Sequence, residues 1–120
     1  YLLNWSVMIV RDFKEVAAQP SGEAAGVSLR WVISQADGAP NFAMRVLEVE
    51  PGCATPYHQH EWEHEVFVIE GQGAVRWSGG EQAMRYGSVV FVPGGEMHQF
   101  INRGSELLRF LCLIPHTKRA

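Results

Sequence analysis

Apolar and polar positions alternate along most of this chain in short runs, each closed by glycine, proline or a small polar residue. Residues 29–33, 42–50 and 65–69 are three such runs; Pro51-Gly52 ends the second and Gly71 the third. Residues 74–77 pair back on residues 82–85 across Ser78-Gly79-Gly80, and residues 88–92 stop at Pro93-Gly94-Gly95. Residues 98–102 and 107–114 complete the set. A period of two with regular turn signals predicts strands, and many short strands predict an all-β sandwich or barrel. Closing the sheet removes exposed edges and leaves room for a central cavity. The one helix-like stretch, residues 12–18, is weak and is stopped by Pro20-Ser21-Gly22.

Composition supplies a core and removes partners. Of 120 residues, 47% are hydrophobic and 19% charged, enough for one packed domain and too apolar for a disordered chain. The expected division is an N-terminal segment at 1–26, a barrel at 27–115 and a tail at 116–120. Lys and Arg total 10 against 13 Asp and Glu, a net charge of −3. No clustered basic face is present, which argues against nucleic acid. No apolar run approaches the roughly 20 residues of a membrane helix. Tyr1-Leu2-Leu3-Asn4-Trp5 lacks the basic and hydrophobic regions of a secretory signal. The expected location is therefore the cytoplasm, and the first residue, not Met, leaves the true N-terminus open. Two cysteines make no disulfide framework, and a reducing compartment disfavours a Cys53–Cys112 bridge.

Histidine changes the picture. Of five in the chain, His58, His60 and His64 fall close together. On an extended chain His58 and His60 face the same way, and so does His64 if the strand runs on. Two imidazoles about 7 Å apart along a strand converge on one ion if the strand curves. A fourth ligand must come from elsewhere, and His98, just past the Pro93-Gly94-Gly95 turn, is the candidate. A single histidine in a β protein is ordinarily a surface or satisfied core residue; the set and its turns point to metal. His116, beside Lys118 and Arg119, reads as surface.

Gly52, His58, His60, His64 and Gly71, with their spacing, resemble the first motif of the cupin superfamily, with His64 where that motif usually carries Glu. Gly87, Pro93, Gly95, His98 and Asn102 match the second motif, and the 15 residues of 72–86 separate the two. Residues 39–45, 49–52, 61–65 and 110–115 are similar to the small four-histidine monocupins. The resemblance implies a single jelly-roll barrel holding one divalent metal per chain. Manganese is first among the candidates, with Fe, Cu, Ni, Co and Zn also suited to imidazole. It also implies a homodimer in which N-terminal strands are exchanged, which suits the apolar Leu2, Trp5, Val7, Met8 and Ile9.

Strand parity proposes the cavity wall. Phe110, Cys112 and Ile114 share one face, Phe100 shares that of His98, and Arg45 alternates with Leu47 and Val49. An inward Arg45 needs an anionic partner, either Glu48 or another carboxylate, or a substrate carboxylate. Cys112 is a small core residue or an oxidisable neighbour of the metal. Trp62 either caps the barrel mouth or packs on the surface, Glu61, Glu63 and Glu65 are solvated, and Met44 and Met97 belong to the core.

Four neutral imidazoles leave a divalent ion its full charge, a stronger Lewis acid with less stabilised higher oxidation states. The leading expectation is oxidative chemistry on a small organic substrate, with dioxygen or peroxide at open positions. The alternatives are a non-redox isomerase or decarboxylase and a module that binds a small ligand without turnover. A closed four-histidine zinc site is the purely structural alternative.

Overall fold

In a computed structural model that describes residues 7–116, nine strands run in chain order as β1 (Gln19–Pro20), β2 (Val27–Ile33), β3 (Phe42–Val49), β4 (His64–Glu70), β5 (Gln72–Trp77), β6 (Gly80–Arg85), β7 (Val89–Val92), β8 (His98–Ile101) and β9 (Leu108–Pro115). They form a six-stranded sheet ordered β1-β2-β3-β9-β4-β7 and a three-stranded sheet ordered β6-β5-β8, all-β as the strand pattern predicts and the jelly roll that the resemblance implies. The expected strands are found within a residue or two of their limits. β1 is additional, and residues 12–18 hold only a 3-10 turn at Phe13–Glu15. No helix among the described residues is long and apolar enough to cross a membrane. Leu2 and Trp5 lie outside the described residues, whereas Val7, Met8 and Val10 are 76%, 89% and 90% exposed.

The core lies between the sheets and follows side-chain parity. β9 shows it most plainly: Leu108, Phe110, Cys112 and Ile114 are buried, while the residues between them are half-buried on the outer face. Phe100 and Phe110 meet across the core with ring centroids 4.8 Å apart, each burial contributing about 1.5–3 kcal/mol. Met44 and Met97 do not belong here. Both are half-buried, and the methionine in the core is Met84, at 3% exposure. Met44 sits between inward Ala43 and Arg45, where the alternation turns it out.

Glu48 also faces outward, yet it is buried, because the N-terminal segment crosses that face. Arg11 donates to the Val32 carbonyl at 2.8 Å, and Arg30 donates to that of Val16 at 2.7 Å. Phe13 lies beneath the guanidinium groups of Arg30 and Arg109. Glu48 accepts from Arg30 Nε at 3.2 Å and Arg109 Nε at 2.8 Å, and Arg109 also pairs with Glu70. Glu48 is therefore not the partner of Arg45, which lies on the opposite face of the same strand. Gly71 has φ +89°, and a Cβ there would strike the Leu107 carbonyl, so the tight step from β4 to β5 requires glycine.

Candidate metal centre

Residues 53–60 are not a regular strand, but they are zipped to β8 by backbone bonds. Thr55 N donates to Phe100 O at 2.9 Å, and His58 and His98 exchange bonds of 3.1 and 2.9 Å. Thr55 Oγ1 in turn accepts from Phe100 N at 2.8 Å. His58 and His98 are thus directly opposed on an antiparallel ladder, with side chains on one face. His60 follows two residues on, and its carbonyl accepts from Gly95 N at 2.7 Å. A Cβ on the neighbouring Gly94 would strike the Glu61 carbonyl. The Pro93-Gly94-Gly95 turn can therefore press against this loop only with glycine there. His64 opens β4, opposite Val92 of β7.

The loop, β8 and β4 bring four imidazole rings together. Ring centroids of His58 lie 5.2 Å from His60 and 5.0 Å from His98. Those of His64 lie 4.6 Å from His60 and 5.2 Å from His98. The donor atoms of His58, His60 and His98 all lie within 4.8 Å of one another. His64 is not of that group of three; it adjoins it through an Nε2–Nε2 contact with His60 of 2.9 Å.

The outward nitrogens set the tautomers. His60 Nδ1 donates to the Trp62 carbonyl at 2.9 Å and His98 Nδ1 to that of Glu96 at 2.8 Å. Each ring thereby keeps a bare Nε2 for the centre, as metal-ligating histidines require. Burial pushes His60 and His98 below the ordinary imidazole range. Burial, then Arg45 and the other imidazoles, push His64 down to about 3. The donor set is neutral and nitrogen-only, and Glu61, Glu63 and Glu65 are exposed. Two nitrogens bound at about 2.1 Å and a right angle to one ion would lie about 3.0 Å apart, close to the 2.9 Å between His60 and His64. The residues fit a divalent transition ion.

A cavity of about 150 Å³ adjoins the rings, walled by Leu47, Phe100, Phe110 and Ile114 and bordered by Arg45 and Cys112. Arg45, Phe100, Phe110, Cys112 and Ile114, the expected wall residues, all line this cavity. Arg45 Nη2 donates to Cys112 Sγ at 3.2 Å, its guanidinium lies 5.4 Å over Trp31, and its Nε is buried without an acceptor among the described residues. Cys53 and Cys112 are both free. Trp62 stacks on His60 at 4.2 Å and borders the cavity. His116 is half-buried, with Nε2 donating to the Ala39 carbonyl at 2.8 Å, and takes no part in the cluster. Sequence reasoning missed Leu29 and the loop residues Ser21 and Glu23 at the cavity, and Trp31 beneath Arg45; Leu29 and Trp31 carried a signal, since they share parity on one expected strand.

The depressed histidines predict a pH dependence for the metal-free protein. Below about pH 6.5 the unfolded chain takes up protons that folded His60, His64 and His98 refuse. Stability is therefore flat in these groups above about pH 6.5 and falls as pH drops below it, with a slope of up to about 1.4 kcal/mol per unit for each. Urea midpoints of chelator-treated protein should be lower at about pH 5 than at about pH 7, and His64→Ala should flatten the difference.

Residues 45–114 match the family described as Cupin domain. The chain is 32% identical over 69 residues to an oxalate-binding protein of Thermotoga maritima, and spans only 57% of that relative's length. Among solved structures it is similar to the polyketide cyclase RemF from Streptomyces resistomycificus, at 33% identity, TM-score 0.85, and coverage of 91% of this chain and 80% of that one. A cupin-2 domain from Rhodospirillum rubrum shares the fold at 22% identity and TM-score 0.78, with 97% of this chain and 80% of that one covered.

Proposed function

Since the chain belongs to the cupin domain family, we propose that it is a metal-dependent enzyme of non-redox type. Its substrate is a small, oxygen-rich carbonyl compound that carries an anionic oxygen. His58, His60, His64 and His98 would hold one divalent ion, His64 as the fourth ligand of a four-histidine monocupin. The observation that carries the reading is the neutral, nitrogen-only donor set, with no carboxylate in the cluster. An ion held this way keeps its full charge and acts as a Lewis acid on a carbonyl oxygen.

The remaining work falls to the chain's own residues. The unpartnered Nε–H of Arg45 donates to an oxyanion and fixes the substrate's orientation, which a buried guanidinium favours strongly. Leu47, Phe100, Phe110 and Ile114 exclude water, which strengthens that ion pair. The volume of about 150 Å³ admits one ring or a short chain. The polyketide cyclase, whose name implies a carbonyl-rich substrate, and the oxalate-binding protein support such a ligand. The homodimer belongs to the same proposal, since Val7, Met8 and Val10 stay exposed on the single chain.

The test is solvent deuterium exchange at the carbon α to a carbonyl of small β-dicarbonyl acids, under anaerobic conditions with zinc-loaded protein. Exchange above the rate of free zinc, reduced on Arg45→Met, is expected. Turnover that requires dioxygen and a redox-active ion would restore the oxidative reading. A ligand bound at unit stoichiometry and recovered unexchanged would favour a binding module.

A further inference from the structure

Three of the four rings have a described partner on their outward nitrogen, and one partner is unlike the others. His60 and His98 donate to main-chain carbonyls fixed by their own loops. His64 Nδ1 instead meets Cys112 Sγ at 3.1 Å, from a strand 48 residues away. Both groups are buried, His64 at 5% and Cys112 at 2% exposure. A thiol can stand on either side of such a contact, as weak donor or weak acceptor. The two arrangements have opposite consequences on the far side of the ring.

If the Cys112 hydrogen points at His64 Nδ1, the ring carries its proton on Nε2. That proton then lies against His60 Nε2, 2.9 Å away, between His64 and the centre. If Cys112 Sγ accepts, the proton sits on Nδ1 and His64 Nε2 offers a lone pair. Ligation decides between them: His64 serves the centre only with Nε2 bare, so its proton must sit on Nδ1 and Cys112 Sγ must accept it, beside the bond of 3.2 Å that the same sulfur takes from Arg45 Nη2. No net proton is moved: Cys112 keeps its hydrogen, turned away from the ring, and His64 exchanges one tautomer for the other.

We propose that Cys112, as the acceptor of that proton, is a positioning residue that fixes the Nδ1–H tautomer of His64 and so makes it a ligand. The proposal rests on the reading of His64 as the fourth ligand. His64 is thus the ligand whose hold depends on another side chain, while His60 and His98 are set by backbone.

Cobalt(II) binding tests it, by affinity in chelator competition and by visible spectrum, in the wild-type protein, Cys112→Ala, Cys112→Ser, His64→Ala and the Cys112→Ala/His64→Ala double variant. Cys112→Ala should weaken binding about 10–100-fold and show the spectrum of His64→Ala. Cys112→Ser, whose hydroxyl also accepts, should keep the wild-type spectrum. In the His64→Ala background Cys112→Ala should add less than about threefold. Wild-type affinity and spectrum in Cys112→Ala, or an undiminished loss in the double variant, overturns the proposal while leaving His64 a ligand. No effect of His64→Ala overturns both. Nitrogen-15 NMR of the zinc-loaded wild-type protein needs no variant to fold. His64 should carry its proton on Nδ1, and a bare Nδ1 there also overturns the proposal.

Discussion

His98→Ala is expected to lower divalent-metal affinity by more than about 100-fold, beyond what loss of an outer partner of a ligand costs, and to remove any activity with it. His98 is 2% exposed and lies directly opposite His58 on the ladder that ties residues 53–60 to β8. The substitution keeps that ladder, because its bonds are main-chain bonds. It removes one of the three donors that lie within 4.8 Å of one another. The loop should therefore stay in place around an incomplete set of ligands. His116→Ala is the matched control: it removes a histidine bonded to the Ala39 carbonyl and should leave metal content unchanged. Elemental analysis after dialysis against a chelator, with calorimetric titration, reads both. Stoichiometric metal in His98→Ala would remove His98 from the centre.

The largest expected loss of stability lies on the other face of the same sheet. Glu48→Gln should destabilise the protein by about 3–5 kcal/mol, the usual result of removing one partner from a buried ion pair. Glu48 is 7% exposed and stands between Arg30 and Arg109. Glutamine has nearly the same shape but leaves both guanidinium groups short of charge, and Arg30 has no second acidic partner among the described residues. Burial alone would raise the Glu48 carboxyl, but Arg109 and Arg30 outweigh it and hold the group below its ordinary value of 4.5. Its contribution is thus complete above about pH 4.5 and is lost as pH falls further. Chemical denaturation of both proteins checks the magnitude. It also checks the sign, since the difference should shrink in acid. A loss below about 1 kcal/mol would show that Glu48 is not the clamp between the N-terminal segment and the sheet.

Much of the centre was legible because it rests on local rules. Strand parity placed Phe110, Cys112 and Ile114 on one inner wall and Phe100 beside His98, and glycine and proline marked the turns that present the histidines. The fate of Arg45 was not legible. Sequence reasoning left Glu48 as a candidate partner, yet neighbouring strand positions of opposite parity face apart, and the sulfur that Arg45 meets is 67 residues away. Burial of Glu48 itself depends on residues 11–16 crossing the sheet, a contact without periodic signature. Met44 and Met97 failed as core residues for a related reason. Hydrophobicity alone carries no information about which face a methionine takes, whereas Met84 is fixed by its register opposite Gly73 of β5.

β9 lies between β3 and β4, although it is the last strand in sequence. It pairs along β3 from Phe42 to Val49 and along β4 from Glu65 to Glu70. A chain still being synthesised therefore holds β1-β2-β3 and β4-β7 as separate pieces, each with an open edge ready to pair with the wrong neighbour. Both edges are satisfied at once when β9 arrives, and that step joins segments far apart in the chain, so it should be slow. The histidines are gathered earlier in sequence, on loops and strands whose two halves of the large sheet β9 joins. Assembly of the centre is thus tied to the arrival of β9, and metal capture would belong to the end of this domain's folding rather than its beginning.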